Sequence, residues 1–170
     1  MTPCDQLQRS AIHCSLPAAL EAMGERWSFL ILRGAFNGLC HFEEFQTTLG
    51  IARNILANRL SRLVEHGILE RRCCTDDRRK VQYRLTPKGE ALLPTLIALR
   101  QWGERWGNGG LANPVLVDTR DGKPVAEIMV RAADGRPLRP DELRWVDRAE
   151  LSSGPLVAPA KAGTGGSLRG

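Results

Sequence analysis

Between Arg53 and Arg62 the chain carries side chains suited to reading base-pair edges, Arg53, Asn54, Asn58 and Arg62, together with Arg59, which suits a phosphate or a neighbouring carboxylate as well as a base. Arginine offers paired donors to the two acceptors of guanine, and asparagine matches the donor and acceptor edge of adenine. Further on, Arg78, Arg79 and Lys80 follow the acidic pair Asp76-Asp77. Three consecutive cations at a loop tip suit phosphate oxygens or a minor groove. Charge is distributed to match. Residues 51–90 hold ten Lys and Arg against five Asp and Glu, an excess as large as the whole chain's net +5, while residues 1–50 and 91–170 carry −2 and +2. A polyanion-facing surface needs such a local excess, because each neutralised phosphate releases condensed counterions. The bland alternative is a solvated basic face, and the helical pattern beneath the charge decides against it.

The elements that must position these groups follow from apolar spacing. A helix is expected from about Leu16 to Met23, with Pro17 tolerated in its first turn and a break at Gly24. A second places Trp27, Leu30, Ile31 and Gly34 on one face, widened by Phe29, Leu32 and Phe36, and Gly38 ends it. Phe42, Phe45 and Leu49 recur at three and four residues, giving a short helix that stops at Gly50. The next runs from about Ala52 to His66, with Leu56, Leu60, Leu63 and Val64 inward. Its outer side carries Asn54, Asn58, Ser61, Arg62 and Glu65, with Arg59 on the border and Arg53 in the first turn. Ile55 lies toward the polar side, where it packs on the preceding helix or touches a thymine methyl; packing is the favoured reading. Gly67 closes this helix.

Ile68–Cys74 and Val81–Leu85 are strand-like around a polar turn. Two short helices followed by a basic-tipped hairpin are the layout of a winged helix-turn-helix, so the fold class is mainly α, with a small β component. Thr86-Pro87 starts a helix reaching about Trp106, which Pro94 should kink or shift toward the C-terminus. Its stripe of Leu92, Leu96, Leu99 and Trp106, broadened by Leu93, Ile97 and Trp102, exceeds what a small domain covers alone, and dimerisation through it is the expected remedy. The domains expected are residues 1–106 for DNA binding and dimerisation, 107–150 as a β appendage, and 151–170 as a disordered tail rich in Gly, Ala, Ser and Pro. Within the appendage, Pro114–Asp118 and Val125–Arg131 are the β-like runs. Apolar stretches are too short to span a bilayer and no leader-like segment opens the chain, so a cytosolic protein is expected.

Taken together, these residues make the chain resemble the HxlR-type winged-helix regulators, relatives of the MarR group. The resemblance rests on Cys14, Ala19-Leu20, Gly24-Glu25-Arg26-Trp27-Ser28 with Leu30-Ile31-Leu32-Arg33, and His41-Phe42-Glu43-Glu44-Phe45 before Leu49-Gly50-Ile51. It continues through Leu56, Arg59-Leu60, Leu63, Glu65-His66-Gly67-Ile68-Leu69, Tyr83-Arg84-Leu85-Thr86-Pro87-Lys88-Gly89 and Leu93-Pro94. It implies a dimeric bacterial regulator that reads the major groove of double-stranded DNA with its third helix and braces it with the wing. Two positions depart from the pattern: Ser15 stands where proline commonly follows the cysteine, and Ala52 where serine opens the reading helix.

The resemblance also implies a sensing role for Cys14, where such proteins often place a reactive thiol. His13 beside it and the adjacent helix start favour a thiolate, and oxidation or electrophile attack there would shift a dimer. The alternative is a small packing residue. Five cysteines without paired spacing argue for reduced thiols; Cys73 and Cys74 are expected to be structural and Cys40 has no assigned role. No cofactor is expected, and no metal: the three histidines lack the spacing of a site. The ribbon-like appendage carries Asp118 and Arg131 ahead of its Asp121-Gly122 and Asp134-Gly135 turns, where related ribbons hold metal through thiols. An enzyme is not expected, for want of a nucleophile and base pair or a phosphate-cradling loop. Set against the homodimeric regulator, with an unknown small-molecule or oxidant effector, is a winged helix serving only protein interaction.

Overall fold

A computed structural model describes residues 14–24, 26–73, 81–107, 114–146 and 151. They divide between two units, residues 15–137 and a second that holds Cys14 and the described residues from Leu138 onward. In the first, α1 (Leu16–Met23) carries Pro17 in its first turn, where a missing N–H costs nothing, and stops at Gly24. α2 (Arg26–Phe36) follows, then α3 (Phe42–Leu49), then α4 (Arg53–Glu65). Gly50 separates α3 from the α4 entry with φ of 60°, a left-handed conformation that side chains resist. β1 (Leu69–Cys73) and β2 (Val81–Leu85) pair antiparallel, Leu69 opposite Leu85 and Cys73 opposite Val81. This is the winged-helix arrangement expected from the residue pattern.

The core sits where the helices and the base of the wing converge. Ile31 and Leu32 from α2, Phe45 from α3, Leu56, Leu60 and Leu63 from α4, and Ile68 and Leu69 at the start of β1 are fully buried. Each such side chain contributes about 1.5–3 kcal/mol of transfer free energy. Gly34 leaves room for Leu39 and Phe45 against α2: a Cβ there would lie 2.9 Å from Leu39 Cδ1 and 3.1 Å from Phe45 Cε1. At the far end of α4, Ile68 N–H donates to Leu63 O, and Lys88 Nζ donates to His66 O, satisfying carbonyls that the helix leaves open.

Beyond the wing the single helix expected from Thr86 to Trp106 is two. α5 (Pro87–Glu90) is capped by Thr86, whose Oγ1 accepts from Gly89 N–H, and α6 (Leu93–Trp106) begins one residue before Pro94. The proline therefore moves the start of the long helix, since at the second helical position it interrupts no hydrogen bond. The β runs expected at 114–118 and 125–131 do not become strands. They meet only in isolated bridges, Val117 with Pro124 and Arg131 with Pro137. Pro114, Pro124 and Pro137 have no N–H to give a ladder. A side chain supplies the partner instead: Gln101 of α6 donates to Ala126 O (3.0 Å) and accepts from Ile128 N–H (2.8 Å). Arg100 adds a hydrogen bond to Pro114 O, and Arg105 pairs with Glu127. The two Asp-Gly turns keep their shape, with φ of 69° at Gly122 and 88° at Gly135. In the second unit, Pro140–Glu142 form one 3-10 turn where β-like chain was expected. The expected tail, 152–170, lies outside the described residues. Among the described residues no helix is long and apolar enough to cross a membrane.

Candidate nucleic-acid interface

The residues proposed for base reading project from α4, whose buried Leu56, Leu60 and Leu63 hold its inner face against the core. Arg53, Asn54 and Asn58 are all exposed on the other side. Arg53 is the first residue of the helix, and its guanidinium lies over the ring of Phe42 at 4.8 Å from the centroid. The stacking links the start of α4 to the start of α3 and restricts where the arginine points. Ile55 lies among them, 37% exposed.

Arg59 and Arg62 belong to another surface. Both line a cleft of about 140 Å³ with Leu20, Glu21, Ala22, Gly24 and Ser28, between α1, α2 and α4. Arg62 donates to Glu21 O at 3.1 Å, and Arg59 Nε is buried. Helical spacing put Arg62 on the outer side and Arg59 on its border, and packing of α1 on α4 brings both against α1. Arg78, Arg79 and Lys80 lie outside the described residues. On the described part of the wing, Arg84 is exposed and donates twice to Gln82 Oε1, at 3.1 and 2.9 Å. Arg72 on β1 pairs with Glu70 at 2.6 Å.

The entry to α3 contains a cluster that sequence reading missed. Cys40 Sγ lies 3.4 Å from His41 Nδ1, which lies 3.1 Å from Glu44 Oε1. Glu44 Oε2 accepts from the backbone N–H groups of both Cys40 and His41, at 2.9 Å each. Those two backbone bonds, then the His41 side chain, hold the Glu44 carboxyl well below its usual range, at about 2. Gln82 links the cluster to the wing, its Nε2 lying 3.4 Å from His41 Nε2. Because Arg84 occupies Gln82 Oε1, the amide nitrogen faces the ring, so His41 Nε2 accepts and Nδ1 carries the proton. The signal was available as Cys-His directly before a helix with Glu in its first turn. Its spacing is neither the i, i+4 nor the C-x-x-C pattern by which metal sites announce themselves in sequence.

Cys14, the sensing candidate, is exposed and outside any disulfide. Cys73 is exposed as well, at the end of β1 opposite Val81; Cys74 lies outside the described residues. Asp118, ahead of the first Asp-Gly turn, accepts from the Arg120 side chain and backbone, which hold its carboxyl below the ordinary value. That turn is closed by an ion pair at the position where related ribbons use a thiol.

The family profile described as HxlR-like helix-turn-helix matches residues 22–110, which take in α2 through α6 and the wing. The chain belongs to this family. It is 42% identical over 92 residues to the uncharacterised HTH-type transcriptional regulator Mb3122 of Mycobacterium bovis, a match covering 54% of this chain. The chain spans 58% of the length of that relative. Among solved structures, PA1607, a candidate transcription factor, superposes with a TM-score of 0.74 at 45% identity, covering 79% of this chain and 94% of that one. The redox regulator HypR in its reduced form superposes with a TM-score of 0.50 at 27% identity, covering 54% and 92%.

Proposed function

We propose that the protein is a sequence-specific, double-stranded-DNA-binding transcriptional regulator that acts as a homodimer. The observation that carries this reading is the outer face of α4. Arg53, Asn54 and Asn58 stand exposed there on a buried leucine stripe, Arg53 stacked on Phe42, in a chain whose family is named for its helix-turn-helix. In this reading α4 enters the major groove, and the wing, with Arg84 and the Arg78–Lys80 tip, rests on phosphates. Arg62 ties α4 to α1 through Glu21 O, and Arg59 lines the same cleft. The chain works by binding rather than catalysis.

Dimerisation is supported by α6. None of its residues is buried, and Leu99, Trp102 and Trp106 are 49%, 63% and 67% exposed. Leu16 and Leu20 of α1 are exposed too. So much apolar surface on the described helices is what a second copy would cover, and two reading helices would then meet half-sites about one helical turn apart, roughly 34 Å. Control through Cys14 is supported by its exposure and by the likeness to HypR, a redox regulator. In this reading an oxidant or electrophile modifies the thiol and moves the paired reading helices.

Duplex binding measured over a salt series tests the reading. Affinity should fall steeply as salt rises. Arg53→Ala or Asn54→Ala should relax sequence preference, while Arg79→Ala should weaken all sequences and flatten the salt dependence. Unchanged binding in all three variants would remove the assignment, and salt-insensitive binding would favour a protein-interaction module.

A further inference from the structure

We propose that Cys40, His41 and Glu44 bind one divalent transition-metal ion of the zinc type, through Cys40 Sγ, His41 Nδ1 and Glu44 Oε1, with solvent as fourth ligand. The three donor atoms lie within 4.8 Å of one another. Tetrahedral zinc with its usual bond lengths sets sulfur and nitrogen about 3.6 Å apart and nitrogen and oxygen about 3.4 Å apart. The observed separations are 3.4 and 3.1 Å. Only the sulfur–oxygen separation then has to close, by about an ångström at most, within reach of a Cys40 side-chain rotation.

The site is built around the ion position rather than across it. Glu44 is anchored by Oε2 to the amides of Cys40 and His41, which leaves Oε1 turned toward the imidazole. Cys40 is held in turn by its carbonyl, which accepts from Tyr83 N–H at 2.8 Å, and His41 bridges to Gln82 of β2. One thiolate, one imidazole and one carboxylate suit zinc, cobalt or nickel over the oxygen-seeking magnesium and calcium.

Metal binding releases one proton. The Cys40 thiol proton leaves to solvent, and the imidazole proton passes through solvent from Nδ1 to Nε2. The new Nε2–H then faces Gln82, which accepts it by turning over its amide. Turning that amide takes Oε1 away from Arg84 and releases an exposed arginine on the wing. The metal thus couples the entry of α3 to a cation that can meet phosphate.

Cobalt titration of the full, metal-stripped chain reads the site directly. One equivalent of Co2+ should produce the near-ultraviolet absorption of a cobalt–thiolate bond and the strong visible bands of a four-coordinate ion, and Zn2+ should displace it. Cys40→Ser should lose the thiolate band and bind Zn2+ at least about tenfold more weakly. A variant with Cys4, Cys14, Cys73 and Cys74 all changed to Ser should keep it. Absence of the band at millimolar Co2+, its survival in Cys40→Ser, or its loss in the four-cysteine variant would overturn the proposal. A second readout uses the unaltered chain, in which Zn2+ should slow alkylation of Cys40 by iodoacetamide, followed by peptide mass. Equal rates with and without Zn2+ would also overturn it.

Discussion

Gly89 sits where the wing joins α5, and replacing it with alanine puts a methyl group inside contact distance of a backbone atom. The new Cβ would overlap Ile68 O and reach 3.1 Å from Leu85 Cδ2, when ordinary contacts begin at 3.4 Å. Ile68 O cannot retreat freely, because it accepts from Thr86 N–H at 3.1 Å, and Thr86 Oγ1 donates to the neighbouring Gly67 O at 2.6 Å while capping Gly89. Forcing the carbonyl aside costs about 1–3 kcal/mol of overpacking. Weakening the Thr86 bond adds about 1 kcal/mol, and the better helix propensity of alanine returns about 1 kcal/mol. A net loss of about 1–3 kcal/mol follows, equivalent to a fall in Tm of roughly 5–15 °C for a unit of this size. Gly34→Ala supplies the control. Its neighbours are the side-chain ends of Leu39 and Phe45, which can shift by tenths of an ångström, so its net cost should stay within about 1 kcal/mol. Urea and thermal unfolding of both variants, at equal protein concentration, decide the matter. If Gly89→Ala cost no more than Gly34→Ala, the claim that a fixed backbone contact joins wing and helix would fail.

Three further outcomes are expected. Arg62→Ala removes the hydrogen bond to Glu21 O and should lower stability by about 1–2 kcal/mol, with sequence preference on DNA unchanged; altered preference would return Arg62 to the reading face. Leu99→Asp, on the exposed stripe of α6, should leave the secondary structure of the protomer intact by circular dichroism and yield monomers by sedimentation at micromolar concentration. A persistent dimer would place the interface elsewhere. Cys14→Ser should abolish any oxidant-dependent change in DNA affinity, and a retained response would move the switch to another cysteine.

Much of the winged unit was legible because its residues repeat with the helical period. Ile31, Leu56, Leu60 and Leu63 announced buried faces, and Gly38, Gly50 and Gly67 announced the ends of elements. What escaped depends on tertiary contact. Helical spacing alone does not show that α1 packs on α4, so it left Arg62 on the outer face and Arg59 on its border. Alternating apolar residues in the 114–131 stretch looked like strands, yet their prolines and the amide of Gln101 give that backbone a different partner. The cluster at Cys40 was hidden for a related reason: its residues converge only once the N-terminus of α3 bends Glu44 back onto the preceding amides.

Selection of duplexes from a random pool by the purified chain tests the central claim most directly. The account predicts enrichment of one pseudo-palindromic motif, its half-sites roughly 34 Å apart, with the motif blurred by Arg53→Ala and sharp again in Arg62→Ala. Recovery of no motif, or of the same motif from Arg53→Ala, would contradict it.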